Sequence, residues 1–430
     1  MPVIRVPYET AEESGVFLEL NIPEKNFLAS FVPNEPSGIS DLEKALLEAV
    51  ETPIGGTKFS DLIQTGLKVT FVTENQFRAA PAYKLLPPLV KKAKELGAKV
   101  AVAIGNGKVP PLSPEEIREK LSPEVIDMGV SVVCNDASHP EQYAFLGNTS
   151  AGTPLWVLKA VAEADVVITI STTQATLWGY GGSGMILPAV SGNDTIETNH
   201  VMALAPDCVP GNNENRMQLD KYEALHRVGV AMGINVVVAN NWDIIYLNAG
   251  DPVQSHREAV KFYEGVYKFD ISGLPEKADI VITGSSAPTD HLLFHTGWAV
   301  VNCLPIAKEG ASIILTSPCP GYHGWPGFAL MDLMKDFMPP SQGNVEKAML
   351  AFYKREKELW AGCIWYPIYK AMLTREIEFV TKAENLEMGT DIGLKVSTSL
   401  DESFKKAMEK HGPNAKVAFV PYGRYSVLAD

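Results

Sequence analysis

The sequence predicts an α/β protein of two domains, each with a mostly parallel sheet flanked by helices. Three observations carry this prediction. Apolar, β-branched runs alternate with helical patterns along the whole chain, and 430 residues is too long for one small core. A turn-rich segment, Asp270-Ile-Ser-Gly-Leu-Pro275, breaks the alternation past the middle. We place the boundary near Gly273, which gives domains 1–272 and 273–430.

Lys68–Thr73 reads as the first strand of the larger domain. Tyr83–Gly97 follows as a helix closed by glycine, with its prolines expected near the first turn. Lys99–Ile104 is the next strand. Ser113-Pro-Glu-Glu116 has a capping-box layout, with serine as N-cap, proline at the first helical position and glutamate reaching back. Further strands fall at Val130–Cys134, Asp165–Ser171 and Asn235–Ala239, with a helix over Ser255–Lys268. The second domain repeats the theme: a strand at Asp279–Thr283, a helix from about Asp290, and a strand at Ser312–Thr316. Helices through Asn344–Leu373 and strands near Ile377–Val380 and Lys416–Val420 complete it. Strands separated by helices imply parallel pairing through crossovers.

Composition narrows the partners. Hydrophobic residues make up 46% and charged residues 20%, as in ordinary globular proteins. The 37 basic and 51 acidic residues leave a net charge of −14, which argues against nucleic acid or an anionic membrane as the main partner. A small anionic substrate is compatible with that charge, and so is a homo-oligomer. Five scattered cysteines without a Cys-x-x-Cys pair fit a reducing, cytoplasmic setting. The N-terminus lacks a signal-peptide pattern, and no apolar run reaches the roughly 20 residues that span a bilayer.

Ligands of open α/β sheets bind beyond the carboxyl ends of strands, and four loops fall there. They are Asn75-Gln-Phe-Arg78-Ala-Ala-Pro81, Gly105-Asn-Gly-Lys108, the stretch Gln174–Gly184 leading to Asn199-His200, and Pro288–Trp298. The third carries four glycines, Gly179, Gly181, Gly182 and Gly184, after an apolar strand. Residues without a Cβ let backbone N–H groups approach a phosphate or other anion, although the same turn can simply pack a helix on the sheet. His200 is a metal ligand or a core histidine. Lys108 is a solvated lysine or a cationic clamp. His291 and His295, spaced i, i+4, would stack on one helix face, with Asp290 as N-cap. His323, in the glycine-rich loop Cys319–Gly324, is a further site candidate.

Taken together, these loops resemble the nickel-dependent lactate racemases over nearly the whole chain. Gly147-Asn-Thr-Ser-Ala-Gly-Thr-Pro154, Val161-Ala-Glu-Ala-Asp165, Ile186-Leu-Pro188, Thr195-Ile196, Pro288 with Asp290, and Leu359-Trp360 support the match. The resemblance implies a ligand cleft between the two domains. It also implies a nickel-pincer nucleotide, tethered in the family through a lysine and coordinated by a histidine. Hydride leaves C2 of the substrate for the pincer ring, while two histidines on opposite faces handle the hydroxyl proton.

Carried over by position, the resemblance makes His200 the metal ligand, for nickel or another transition metal. Arg78, Asn75 (in place of an aspartate), Gly181, Gly182 and Trp360 become cofactor contacts. Gly184 stands where the tethering lysine belongs, so any nucleotide would bind noncovalently. Lys108 and Gln174 replace the two catalytic histidines. His295 and Trp298 replace a glutamine and a lysine that hold the substrate, and Phe294 replaces a tyrosine. Lys108, His295 and Gln174 are the candidate catalytic residues; Trp298, Phe294 and His323 are the candidate substrate contacts. The expected activity is that of a racemase or epimerase for a 2-hydroxy acid larger or more apolar than lactate. Two alternatives stand beside it. One is a metal enzyme with a direct histidine site (His200, His295 and His291 or His323); the other is a non-catalytic homologue that binds a nucleotide or hydroxy acid.

Overall fold

The computed structural model describes residues 2–10, 15–322 and 324–430. It contains two compact units. The larger comprises Glu35–Gln174 and Trp178–Gly265; the smaller comprises Met1–Asn34, Ala175–Leu177 and Val266–Asp430.

The larger unit is built on a six-stranded sheet in the order Ile244–Gly250, Val230–Val238, Val166–Thr172, Lys68–Glu74, Lys99–Gly105, Ser131–Cys134. Neighbours pair in parallel except Ile244–Gly250, which returns antiparallel along Val230–Val238. Alternation along each strand sends residues to opposite faces. Phe71 joins the layer formed by Leu85, Leu89 and Val90 of the helix Ala82–Glu95, while Val72 joins Leu155, Ile186 and Leu225 on the other face. That helix carries Pro87 and Pro88 one turn deeper than expected, and it opens at Pro81. The capping box at Ser113 forms as read, with Ser113 N donating to Glu116 Oε2 at 2.6 Å.

The smaller unit holds a second six-stranded sheet, all parallel, in the order Lys395–Ser397, Glu376–Val380, Ala307–Thr316, Ala278–Gly284, Val417–Val420, Phe27–Ser30. Placing residues 1–34 with the first domain follows chain order, but their contacts lie with the second sheet. Phe27–Ser30 is its edge strand, and the hairpin Val3–Thr10 with Gly15–Asn21 packs Ile4, Val6 and Leu20 against Ile280, Ile282 and Ile314. Non-local pairing of this kind has no local sequence signature.

In each sheet the chain grows outward in one direction and then reverses. The reversal lies between Lys68–Glu74 and Val166–Thr172 in the larger unit, and between Ala278–Gly284 and Val417–Val420 in the smaller. These are the topological switch points, where the loops diverge and leave a crevice. Among the described residues no helix is long and apolar enough to cross a membrane.

Candidate functional site

At the switch point of the larger unit the two strands are stapled by a buried carboxylate. Glu74 accepts from Thr172 N and Thr172 Oγ1, both at 2.8 Å, and from Ala80 N at 3.3 Å. Burial pushes its carboxyl group up, while the nearby Lys120 and the Thr172 donors oppose that shift. The staple fixes the root of the loop that carries Arg78. Asn75 Oδ1 accepts from Phe77 N at 3.1 Å, an Asx-type turn, and Arg78 Nη1 donates to the Phe77 carbonyl at 3.0 Å.

The glycine stretch leaves the neighbouring strand end as a tight loop, closed by Gly181 N donating to the Gln174 carbonyl at 2.8 Å. Gly182 sits at φ +107°, and a Cβ there would lie 2.8 Å from His256 Cδ2. The turn is buttressed from behind. His256 Nε2–H donates to the Gly181 carbonyl at 2.7 Å, so Nδ1 is the acceptor for the Tyr222 hydroxyl at 2.8 Å. Gln218 Nε2 holds Ser183 Oγ at 2.5 Å. Position 184 is more permissive. A Cβ there would meet only Pro188 Cδ, at 3.3 Å, and the backbone lies outside the left-handed region.

His200 lies in the helix Asn193–Val201, and the helix explains its state. Thr195, Glu197, Asn199 and His200 are all buried, so the helix docks through polar side chains rather than an apolar stripe. Thr195 Oγ1 accepts from Trp156 N and donates to Pro154 O. Asn199 Nδ2 donates to Asp220 Oδ2 at 2.8 Å. His200 Nδ1 lies 2.8 Å from the Ile196 carbonyl, which can only accept, so Nδ1 carries the proton and Nε2 the lone pair. Burial, and then the Lys221 ammonium, push this imidazole down to about 3, so it is neutral at physiological pH. A neutral ring oriented by its other nitrogen is the form that ligates metals. Trp178 meets it edge-on at 5.6 Å.

Lys108 is not a solvated lysine. Its Nζ lies 2.6 Å from Glu197 Oε1, with the two side chains only 12% and 5% exposed. This is the arrangement of a structural cation, held one helical turn from His200. The larger unit thus gathers Arg78, Lys108 and His200, with Lys221 within electrostatic reach of both Arg78 and His200.

The smaller unit presents a different surface at its switch point. Phe294 packs edge-on against Trp360 (5.4 Å) and His295 (4.8 Å), and His295 in turn against Trp298 (5.8 Å). The Arg424 guanidinium, fully buried, lies 3.8 Å from the centre of the Trp298 ring, and its Nη1 donates to the Ala175 carbonyl. Trp360 Nε1 donates to Glu358 Oε2 at 2.7 Å.

Here the histidine expectations need correction. The helix expected from Asp290 begins at Leu293 and is a single short turn, so His291 precedes it and cannot stack on His295. Asp290 is not its N-cap: Asp290 Oδ2 accepts from Thr10 N and Thr10 Oγ1, and Oδ1 lies 2.9 Å from His291 Nδ1. Among the described residues, neither unit gathers three histidine, cysteine or carboxylate groups able to hold a metal ion. The direct histidine site is therefore not formed within either unit, and His323 lies outside the described residues.

Glu74, Glu197, His256 and Lys221 were missed by sequence reasoning. Glu197 had a signal, an acid three residues before His200 in a helix of buried polar positions. The others had none, because their partners are distant in the chain.

Comparison with known proteins resolves the ancestry. Residues 15–209 match the lactate racemase N-terminal domain family, and residues 274–428 match the lactate racemase C-terminal domain family. The chain belongs to the lactate racemase family. It is 22% identical over 438 residues to the lactate racemase of Lactiplantibacillus plantarum, covering 98% of this chain and 99% of that one. It is 24% identical over 393 residues to the lactate racemase of Thermoanaerobacterium thermosaccharolyticum, covering 89% of each. The lactate racemase apoprotein structure from the latter organism is similar with a TM-score of 0.89 at 21% identity, covering 100% of both chains. A Thermotoga maritima protein is similar with a TM-score of 0.71 at 14% identity, covering 92% of this chain and 100% of that one. Both relatives share less than a quarter of their residues with this chain, which makes it a divergent member of the family.

Proposed function

We propose that this lactate racemase homologue is a racemase or epimerase of a 2-hydroxy acid that holds a nickel-pincer nucleotide without a covalent bond. One observation carries the reading: His200 is a buried, neutral imidazole whose tautomer presents Nε2 as a donor. A lone histidine is too few donors for a protein-held metal. It suits a metal whose remaining ligands come from an organic group. When bound, that group supplies the acceptor for the C2 hydrogen of the substrate.

The chain's own residues do the rest. The glycine turn, Arg78, Asn75 and Trp360 bind and orient the nucleotide, and Gly184 offers no nucleophile to attach it. Lys108, fixed by Glu197, supplies positive charge for an anionic substrate. Gln174 can hydrogen-bond the hydroxyl oxygen but is no base at neutral pH, so the proton falls to His295. Phe294 and Trp298 support an acid larger or more apolar than lactate. Both relatives named above are lactate racemases, which supports the reaction class. The negative charge and the lack of a disulfide among the five cysteines support a cytoplasmic site of action.

The test is to produce the chain together with the enzymes that build the nucleotide. We expect nickel and nucleotide to copurify, the denatured intact mass to show no adduct, and His200→Ala to lose the nickel. Enantiopure 2-hydroxy acids of graded size then report turnover. Protein that carries neither nickel nor nucleotide would overturn the proposal.

A further inference from the structure

The helix Arg216–Val228 turns a polar face to the glycine stretch and to His200, and several groups on that face are matched. Gln218 holds Ser183; Tyr222 links His256 to Asn213. Asp220 accepts from Thr149 Oγ1 at 2.5 Å, Thr153 Oγ1 at 2.8 Å and Asn199 Nδ2 at 2.8 Å, so both its oxygens are committed to neutral donors. Lys221 is the charged group of that helix without a partner. It is 8% exposed, and among the described residues its ammonium has neither a hydrogen-bond acceptor nor a carboxylate at ion-pair distance. The groups that face it electrostatically are Arg78, His200 and His256, which oppose its charge, and Asp220 and the Cys208 thiol, which favour it.

An ammonium withdrawn from water without a counter-charge costs several kcal/mol, and buried lysines are otherwise almost always paired. Lys108, the other amine near His200, already has its own carboxylate in Glu197. Lys221 has no such carboxylate.

We propose that Lys221 is the anion-recognition residue of the His200 site, taking a carboxylate or phosphate oxygen of the bound ligand. The inference rests on reading the surroundings of His200 as a ligand site, and it deepens that reading by naming the group that receives the ligand's charge. The amine comes from the helix Arg216–Val228 rather than from position 184, and it binds by charge instead of by a bond. Burial pulls the Lys221 amine down to about 8, and an arriving anion would favour its charged form.

The experiment uses the purified full chain without metal or nucleotide, so its outcome does not depend on racemisation. Dissociation constants for inorganic phosphate and for D- and L-lactate are measured by calorimetry at constant ionic strength. The proteins compared are wild type, Lys221→Met, Lys221→Gln and Lys221→Arg, each checked for fold by circular dichroism. We expect the Met and Gln variants to melt no lower than wild type and to bind at least one of these anions roughly tenfold more weakly, with Arg close to wild type. Loss of phosphate binding alone assigns the amine to a nucleotide phosphate; loss of lactate binding alone assigns it to the substrate carboxylate. Wild-type affinity in both neutral variants overturns the proposal, as does a wild type that binds none of the three anions. A chain that fails to racemise yet shows this loss would sink the proposed activity and leave Lys221 in place.

Discussion

The two switch points have the same topology and opposite chemistry. In the larger unit the loops are tied by charge and hydrogen bonds: Glu74 across two strand ends, Lys108 on Glu197, Asp220 under three donors. In the smaller unit they are tied by rings, from Trp360 through Phe294 and His295 to Trp298, with Arg424 over the Trp298 ring. A ring cluster is content with shape and needs no stoichiometry of partners. A buried polar network must balance its charges, and a cation without an anion points to a ligand. The lesson is that the polar unit offers a ligand charge, through Lys221, whereas the aromatic unit offers it shape.

The sharpest way to break this contrast is Asp220→Ala. It strands the Thr149, Thr153 and Asn199 donors and strips Lys221 of its neighbouring carboxylate. Urea unfolding should show a loss of roughly 3–5 kcal/mol, and a loss below about 1 kcal/mol would mean the network is slack.

Acid should act mainly on the polar unit. Burial holds His256 down to about 4 and His200 to about 3. Below the ordinary value near 6.5 the unfolded chain takes up these protons and the folded one does not, so stability is fully present above about 6.5. It falls between 6.5 and about 4, by roughly 1 kcal/mol for each ring between pH 7 and 5.5. Urea midpoints that stay flat over that interval, or a slope undiminished in His256→Gln, would contradict the neutral-imidazole assignment.

The smallest effect is expected among the rings. A double-mutant cycle with Arg424→Met and Trp298→Leu should give a coupling of about 1–2 kcal/mol for the desolvated cation–π contact. A coupling near zero would reduce that contact to mere adjacency.

The inner strands of both sheets were legible in the sequence because a buried parallel strand is a dense β-branched run, as in Val166–Thr172 and Ala278–Gly284. The edge strands Phe27–Ser30, Ile244–Gly250 and Lys395–Ser397 were not, and the partner of Phe27–Ser30 lies far along the chain at Val417–Val420. Within the site, the loops could be named from their position after strands, and the Ser113 cap from its spacing. What escaped was pairing at a distance. Nothing local marks Glu197 as the partner of Lys108, 89 residues away, or His256 as the prop beneath Gly181, 75 residues away. The helix expected at Asp290 failed for a related reason, since the carboxylate that would have capped it is claimed by Thr10, 280 residues earlier.

Gly182 and Gly184 stand two residues apart and face different futures. At Gly182 any side chain must adopt an unfavourable φ and run into His256, so that residue is locked in place. At Gly184 the sole obstacle is the edge of one proline ring, which a shift of a few tenths of an ångström would clear. A single lysine codon could therefore place a primary amine here without rebuilding the turn. The step between a bare backbone and a long amine is, at this position, a road that evolution or an engineer can walk in either direction.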